Sequence, residues 1–387
     1  MRVLMISGEY PPMTGGVGDF TRIVARQLVA QGCELHVLTS RTTRGEQPAS
    51  DGITIWPVVG RWSLHGLGRA WKQLRRQVAF DVANIQYQAG AYGGLGAINL
   101  LPLATSLPCI TTFHDLKAPK LFPKAGTWLR RRSVSLLAQR SSATIVTNLA
   151  DRLALEQVGR VRLNQIPIGS NIPVHCLDSA HRAQLRTSWG ASPQTTVLCY
   201  FGMLSESKGG EELIDALALL DRQALDVHLV LIGNAFGSSP EDQAYASRVK
   251  ALISQHRLDS RVTYTGKLAP EQVSNALHAS DICVLPYRDG VSFRRGSLMA
   301  ALAHGLPIIT THPQHDTAEI ADGDNMLLAP ARNAVELANT IARVMASETL
   351  REHLSAGALD LAPCFGWDRI AEQTLEVYRR VVHHNQR

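Results

Sequence analysis

At 387 residues the chain is longer than one ordinary hydrophobic core supports, so two domains are expected. Hydrophobic residues make up 45% of it and charged residues 19%, which excludes a disordered chain and fits a well-packed α/β protein. A formal net charge of +6 favours anionic small molecules or an anionic membrane face; without an aromatic-rich RNA-binding signature or a Cys/His finger, nucleic acid ranks last.

Met1-Arg2 leads straight into an apolar strand, Arg2–Ser7, with no separate signal-peptide core, so a cytoplasmic address is expected. No later run reaches the roughly 18 apolar residues that span a bilayer. After GEYPPMTGGVGDF, the segment TRIVARQLVAQG keeps Ile23, Val24, Leu28 and Val29 at helical spacing and closes at Gly32. Strand Glu34–Thr39 completes a Rossmann-like start. The loop reads Gly15-Gly16-Val17-Gly18 instead of GxGxxG, and no acid follows the second strand to hold a ribose, so a nicotinamide site fits poorly. Those glycines let backbone N–H groups approach a ligand; a tight βα turn explains them equally well.

Ile53–Val59 reads as a strand, Leu67–Val78 as a helix and Asp81–Gln86 as a strand running into Tyr87. Beyond the glycine-rich AGAYGGLG and a small-residue helix, strand Pro108–Phe113 delivers His114-Asp115 at its C-terminal end. That end of an open parallel sheet faces the ligand crevice, where histidine serves as acid, base or polar contact. A satisfied structural histidine is the plainer reading. Lys117, Lys120, Lys124 and Arg130–Arg132 then mingle with Leu116, Leu121, Phe122, Trp128 and Leu129. Such a mix docks on an anionic bilayer or forms a solvated helix. Strands at Ala143–Thr147 and Asn164–Ile168 end the first half, IPIGSNIP (Ile166–Pro173) connects, and the polar segment to about Gln194 carries no strong motif.

The second half restarts the alternation. Strand Thr195–Phe201 enters the loop Gly202–Gly210 (GMLSESKGG), which holds Lys208; helix Glu211–Leu220 and strand Val227–Ile232 follow. Glu241–His256 reads as a helix, Val262–Gly266 as a strand, and a further helix starts at Pro270. Strand Asp281–Pro286 then ends in a loop with Gly290, Arg294, Arg295 and Gly296, ahead of the small-residue helix SLMAALAHG and strand Ile308–Thr311. The free N–H groups of a helix's first turn make an anion site. Arg294 and Arg295 just before it add forked cationic donors suited to phosphate. An ordinary crossover with two solvated arginines is the alternative. A short strand in AEIADGDNMLLAP, helices at about Asn333–Ser347 and Glu348–Leu361, and an amphipathic final helix complete the chain. Six scattered cysteines (Cys33, Cys109, Cys176, Cys199, Cys283, Cys364) without a CxxC pair read mainly as buried free thiols.

GEYPPMTGGVGDFTRIVARQLVAQGCELHVLT, FHD, FGMLSESKGGEELIDA, PYRDGVSFRRGSLMAALAHGLPIITT and WDRIAEQTLEVYRR stand in the order found in retaining glycosyltransferase family 4, the glycosyl transferases group 1, and together resemble it over nearly the whole chain. The resemblance implies an α/β GT-B fold, two Rossmann-like domains with a deep interdomain cleft. Residues 1–172 would form the acceptor domain, 173–365 the nucleotide-sugar donor domain, and 366–387 a helix packing back on the first. It places Gly15, Gly16 and Gly18 beside the donor diphosphate and acceptor, and His114 near the reacting carbon. Lys208, in the loop opened by Gly202, would neutralise the diphosphate leaving group, and Gly296, Ser297 and Leu298 would bind phosphate through their backbone. It implies no metal and no cofactor other than the nucleotide-sugar substrate, with glycan, lipid-linked or small-molecule acceptors.

Three positions depart from that pattern: Met203 stands where the family has arginine, and Ser292 and Ala300 where it has two glutamates eight apart. Arg294 or Arg295 is expected to replace the cation missing at Met203, which sets Arg295 beside His114 and Lys208 among the catalytic candidates. A register shift would make Asp289 the sugar contact. The leading expectation is a metal-independent hexosyltransferase of polysaccharide or lipid-linked glycan synthesis, with peripheral membrane contact through Lys117–Arg132. Loss of both glutamates keeps open a non-catalytic nucleotide-sugar-binding or scaffolding subunit, and a dehydrogenase ranks last.

Overall fold

The computed structural model describes residues 1–13, 15–43, 51–119, 126–234 and 240–385. The chain divides into two compact units, one formed by Met1–Gly169 with Gly366–Arg387, the other by Ser170–Phe365. Among the described residues no helix is long and apolar enough to cross a membrane.

The first unit is built on β1 (Arg2–Ser7), β2 (Glu34–Ser40), β3 (Ile53–Val59), β4 (Val82–Tyr87), β5 (Cys109–Phe113), β6 (Ala143–Val146) and β7 (Leu163–Gln165). Their order is β3-β2-β1-β4-β5-β6-β7, and every pair is parallel. Val3, Leu4, Met5 and Ile6 are wholly buried, as a continuous apolar run must be in a strand covered on both faces. Leu4, Ile6, Ile85 and Phe113 face one core, which includes Leu67 and Leu74 of the helix Leu64–Arg75. Val3, Met5, Val82 and Ile110 face the other, beneath the helices Gly16–Ala30 and Trp367–Asn385. There Asn84 Nδ2 donates to the Tyr378 hydroxyl at 2.5 Å and Thr112 Oγ1 to Asn84 Oδ1 at 3.0 Å, so the polar side chains inside this layer satisfy one another.

The second unit contains β8 (Thr196–Phe201), β9 (Val227–Ile232), β10 (Val262–Tyr264), β11 (Ile282–Leu285), β12 (Ile308–Thr311) and β13 (Leu327–Ala329), all parallel in the order β10-β9-β8-β11-β12-β13. In each sheet the strand order reverses once, between β1 and β4 and between β8 and β11. The crevice outside the carboxyl ends of such a pair is where open α/β sheets hold ligands.

Several local expectations shift. The helix read at Leu67–Val78 runs over Leu64–Arg75, because Ser63 caps it by accepting the Gly66 N–H at 3.2 Å. The polar segment before Gln194 contains a helix, Ser179–Ser188, capped by Asp178. Its Arg186 is 6% exposed and bonds Asp281 and the carbonyls of Ala279 and Thr195. None of the six cysteines is in a disulfide; Cys176 is exposed, Cys364 half-buried and the other four buried. Of the basic and apolar segment, Lys120, Leu121, Phe122 and Lys124 lie outside the described residues.

Candidate functional site

In the second unit the loop after β8 carries Lys208. Gly202 opens it at φ +122°, and Tyr200 donates its hydroxyl to the Met203 carbonyl at 3.1 Å. A Cβ at Gly202 would lie 3.1 Å from Lys208 Nζ, so the bare glycine lets the lysine fold back over the strand end. The carboxylate of Asp242 attracts this ammonium. Desolvation, helped by the positive charge of Arg295, pushes its pKa down to about 8.

Arg288 clamps the loop from below. Its guanidinium bonds Glu211 at 2.6 Å and Glu212 at 2.7 Å and lies 3.5 Å from Glu206, while its N–H donates to the Ser207 carbonyl at 2.9 Å. Gly209, at φ +71°, packs so closely that a Cβ there would sit 1.9 Å from the Pro286 carbonyl oxygen.

The loop after β11 supplies the neighbouring wall. Arg295 stands at the N-cap of the helix Gly296–Ala303, its guanidinium 4.7 Å from the centre of the Tyr287 ring. Tyr287 and Ser297 share a hydroxyl hydrogen bond of 2.7 Å. Neither arginine is a free fork: Asp289 Oδ1 accepts from Arg295, and Asp289 Oδ2 from Arg294 at 2.9 Å. Asp289 is thereby engaged by cations, which counts against the alternative register that makes it the sugar contact. Of the three backbone positions expected to bind phosphate, Leu298 already donates to the Arg295 carbonyl at 3.0 Å. Gly296 and Ser297 keep their N–H groups unengaged among the described residues. Met203 is about half exposed, Ala300 is fully buried, and the Ser292 hydroxyl is enclosed without a partner. Nothing among these three restores a carboxylate where the family has its glutamates.

The first unit offers a second constellation, at the ends of β1, β4 and β5. Glu9 follows β1, and its Oε1 accepts the Val17 N–H at 3.1 Å at the start of the helix Gly16–Ala30. A Cβ at Gly15 would lie 2.3 Å from that oxygen, so Gly15 makes room for the protein's own carboxylate. Desolvation raises the Glu9 pKa against the Gly18 and Val17 N–H groups, which favour the ionised form. A Cβ at Gly18 would lie 3.2 Å from Tyr10 Cα, whereas Gly16 faces open space.

His114 stands at the end of β5, with Nε2 2.9 Å from Gln86 Oε1 and its ring edge-on to Phe20 at 4.7 Å. Phe20 in turn meets Trp367 of the final helix at 5.5 Å. Desolvation pushes the His114 pKa down to about 4, so the ring is neutral at neutral pH. With the Gln86 carbonyl oxygen as acceptor, Nε2 carries the proton and Nδ1 presents its lone pair.

The structure thus gathers Lys208, Gly202, Arg295, Gly296 and Ser297 at one switch point, with Arg294 more exposed beside them. His114, Gly15, Gly16 and Gly18 belong to the other unit. Glu9, Gln86 and Arg288 escaped the reading of the sequence. Glu9 stands in GEYPP with nothing to mark its partner, and the acids that hold Arg288 lie more than seventy residues earlier. Among the described residues no group of three or more His, Cys, Asp or Glu is placed to hold a metal ion.

Residues 195–347 match the model of the glycosyl transferases group 1, and residues 15–169 that of the glycosyl transferase 4-like domain. A D-inositol 3-phosphate glycosyltransferase of Pseudarthrobacter chlorophenolicus is 24% identical, the alignment covering 98% of this chain and 96% of that one. Among solved structures, sucrose-phosphate synthase from Thermosynechococcus elongatus superposes with a TM-score of 0.78 at 21% identity, covering 98% of each chain. Anabaena Alr3699/HepE, solved with UDP and glucose, reaches 0.76 at 20% identity over 97% of this chain and 99% of that one.

Proposed function

Because the chain belongs to the glycosyl transferases of group 1, we propose that it transfers a hexose, with retention, from a nucleoside diphosphate donor to a glycan, lipid-linked or small phosphorylated acceptor. The observation that carries the donor half is the half-buried ammonium of Lys208 beside Arg295 at the β8/β11 switch point. Bond cleavage leaves negative charge on the departing diphosphate. Cations and helix N–H groups already in place stabilise that charge without reorganising during the reaction. Lys208, Arg295, Gly296 and Ser297 take this role, Arg294 standing at the rim, and Arg295 supplies the cation that Met203 does not. Because these groups neutralise the leaving group, we assign no metal to the step.

His114 acts as a neutral hydrogen-bonding group. Its Nδ1 lone pair accepts from a sugar hydroxyl, with Gln86 fixing the tautomer. UDP is the first donor nucleotide to try, since it is the ligand of the similar HepE structure. Trp128 and Leu129, 68% and 48% exposed, adjoin Arg130–Arg132 and support peripheral contact with the inner membrane face by a cytoplasmic enzyme. A second reading, a nucleotide-sugar-binding scaffold, draws on the buried Ala300 and the enclosed Ser292 hydroxyl.

Calorimetric titration of UDP, GDP, ADP and TDP into wild type and Lys208→Ala tests the donor site. One nucleotide should bind, and the substitution should weaken it about 10- to 100-fold, the worth of a charge-assisted contact. Turnover of the corresponding nucleotide-sugar then separates enzyme from scaffold. Silence from all four nucleotides would count against both.

A further inference from the structure

Asp289 uses both of its oxygens on the two arginines assigned to the donor site, Oδ1 on Arg295 and Oδ2 on Arg294. The backbone that carries it is pinned. Gly290 follows at φ +75°, packed so that a Cβ would lie 2.5 Å from the His312 carbonyl oxygen. Val291 donates to the Thr311 carbonyl at 3.2 Å, and Thr311 Oγ1 donates to the Tyr287 carbonyl at 2.6 Å. The carboxylate is therefore held by the fold, while the guanidinium groups end long side chains that exchange partners by rotating. Arg295 Nε is buried without an acceptor, so this guanidinium keeps donor capacity that Asp289 does not fill. Lys208, the third cation, is attracted by the carboxylate of Asp242. Two carboxylates, Asp289 on the arginines and Asp242 on the lysine, thus serve a cluster of three cations, in the place where a diphosphate would supply two or three negative charges.

We propose that Asp289 is a resident counter-ion of the donor site, holding Arg294 and Arg295 while the site is empty, yielding them to the diphosphate, and competing for them again so that the product leaves. The inference rests on the donor reading above. It assigns Asp289 an effect opposite to that of a residue which merely orients Arg295. Removing an orienting carboxylate weakens diphosphate binding; removing a competing one strengthens it.

Asp289→Asn keeps one oxygen to accept from Arg295, deletes the charge and replaces the oxygen that served Arg294 with an amide donor. Calorimetry with the four nucleoside diphosphates, and with inorganic pyrophosphate as a base-free probe, should show roughly 3- to 10-fold tighter binding to the variant. In turnover, KM and kcat should both fall and product inhibition should strengthen, because release slows. In an Arg294→Ala/Arg295→Ala background the same substitution should change binding little. Unchanged or weaker binding to Asp289→Asn overturns the proposal. If wild type binds no nucleotide, the donor reading falls and pyrophosphate decides alone: tighter binding to the variant sustains the counter-ion, equal or absent binding removes it.

Discussion

Lys208 gives the site a pH signature of its own. Its pKa falls from an ordinary 10.5 to about 8 in the folded protein. Between those values the unfolded chain binds the extra proton, so this residue makes native stability rise with pH from about 8 to about 10.5. Diphosphate binding runs the other way, since the anion favours the ammonium: the contact is complete below pH 8 and lost above it. Nucleotide affinity measured from about pH 6.5 to about pH 9.5 should be flat at first and then fall by up to about tenfold per unit. Lys208→Arg, whose side chain stays charged throughout, should remove the fall. A wild-type profile flat to the alkaline end would take Lys208 out of contact with the phosphates. His114 adds no acid limb near neutrality, because its depressed pKa leaves the ring neutral across that range. His114 was singled out in the sequence from its place just after an apolar strand, and Lys208 from the family resemblance of its loop. Their supports were not, since Gln86 and Arg288 gain meaning only from partners that the sheets bring together across long stretches of chain.

Elements rather than single side chains decide how the cations are presented, and the glycines of the two loops differ sharply in what they tolerate. Gly209 combines φ +71° with the closest backbone approach in the loop, 1.9 Å from a would-be Cβ to the Pro286 oxygen. Gly209→Ala must shift either the Lys208 loop or the exit of β11, at a cost of about 2 kcal/mol or more. Gly296, first in its helix and facing open space, should accept alanine within about 0.5 kcal/mol. Thermal unfolding of the two variants checks the contrast; equal melting points would mean that the loop seats itself without the glycine. Strands and most helices were legible because apolar runs alternate with helical periodicity. The helix Ser179–Ser188 was not, for a physical reason: it is anchored by Arg182 and Arg186 on Asp281 rather than by an apolar stripe. One buried and one half-exposed arginine leave no hydrophobic period to read.

At the scale of the molecule, the chain leaves its first unit at Gly169 and returns to it at Gly366, so that unit is finished only by the last segment. The returning helix buries Ile370, Ala371, Thr374, Leu375, Val377, Tyr378 and Val381. Its five large apolar side chains alone are worth about 10 kcal/mol at roughly 2 kcal/mol each, comparable to the whole stability of an ordinary domain. Removing it also strips Asn84 of the Tyr378 hydroxyl inside the sheet layer. The second unit, Ser170–Phe365, is continuous in sequence and holds its own six-stranded sheet. A chain ending at Phe365 should therefore keep a cooperative unfolding transition from the second unit and lose the one belonging to the first. The isolated segment 170–365 should melt as that surviving transition does. Scanning calorimetry of the full chain, the truncated chain and the segment distinguishes the cases. If the truncated chain kept the first unit's transition unshifted, the final helix would be an ornament of that core, and the layer beneath it would have to be stabilised by the helix Gly16–Ala30 alone.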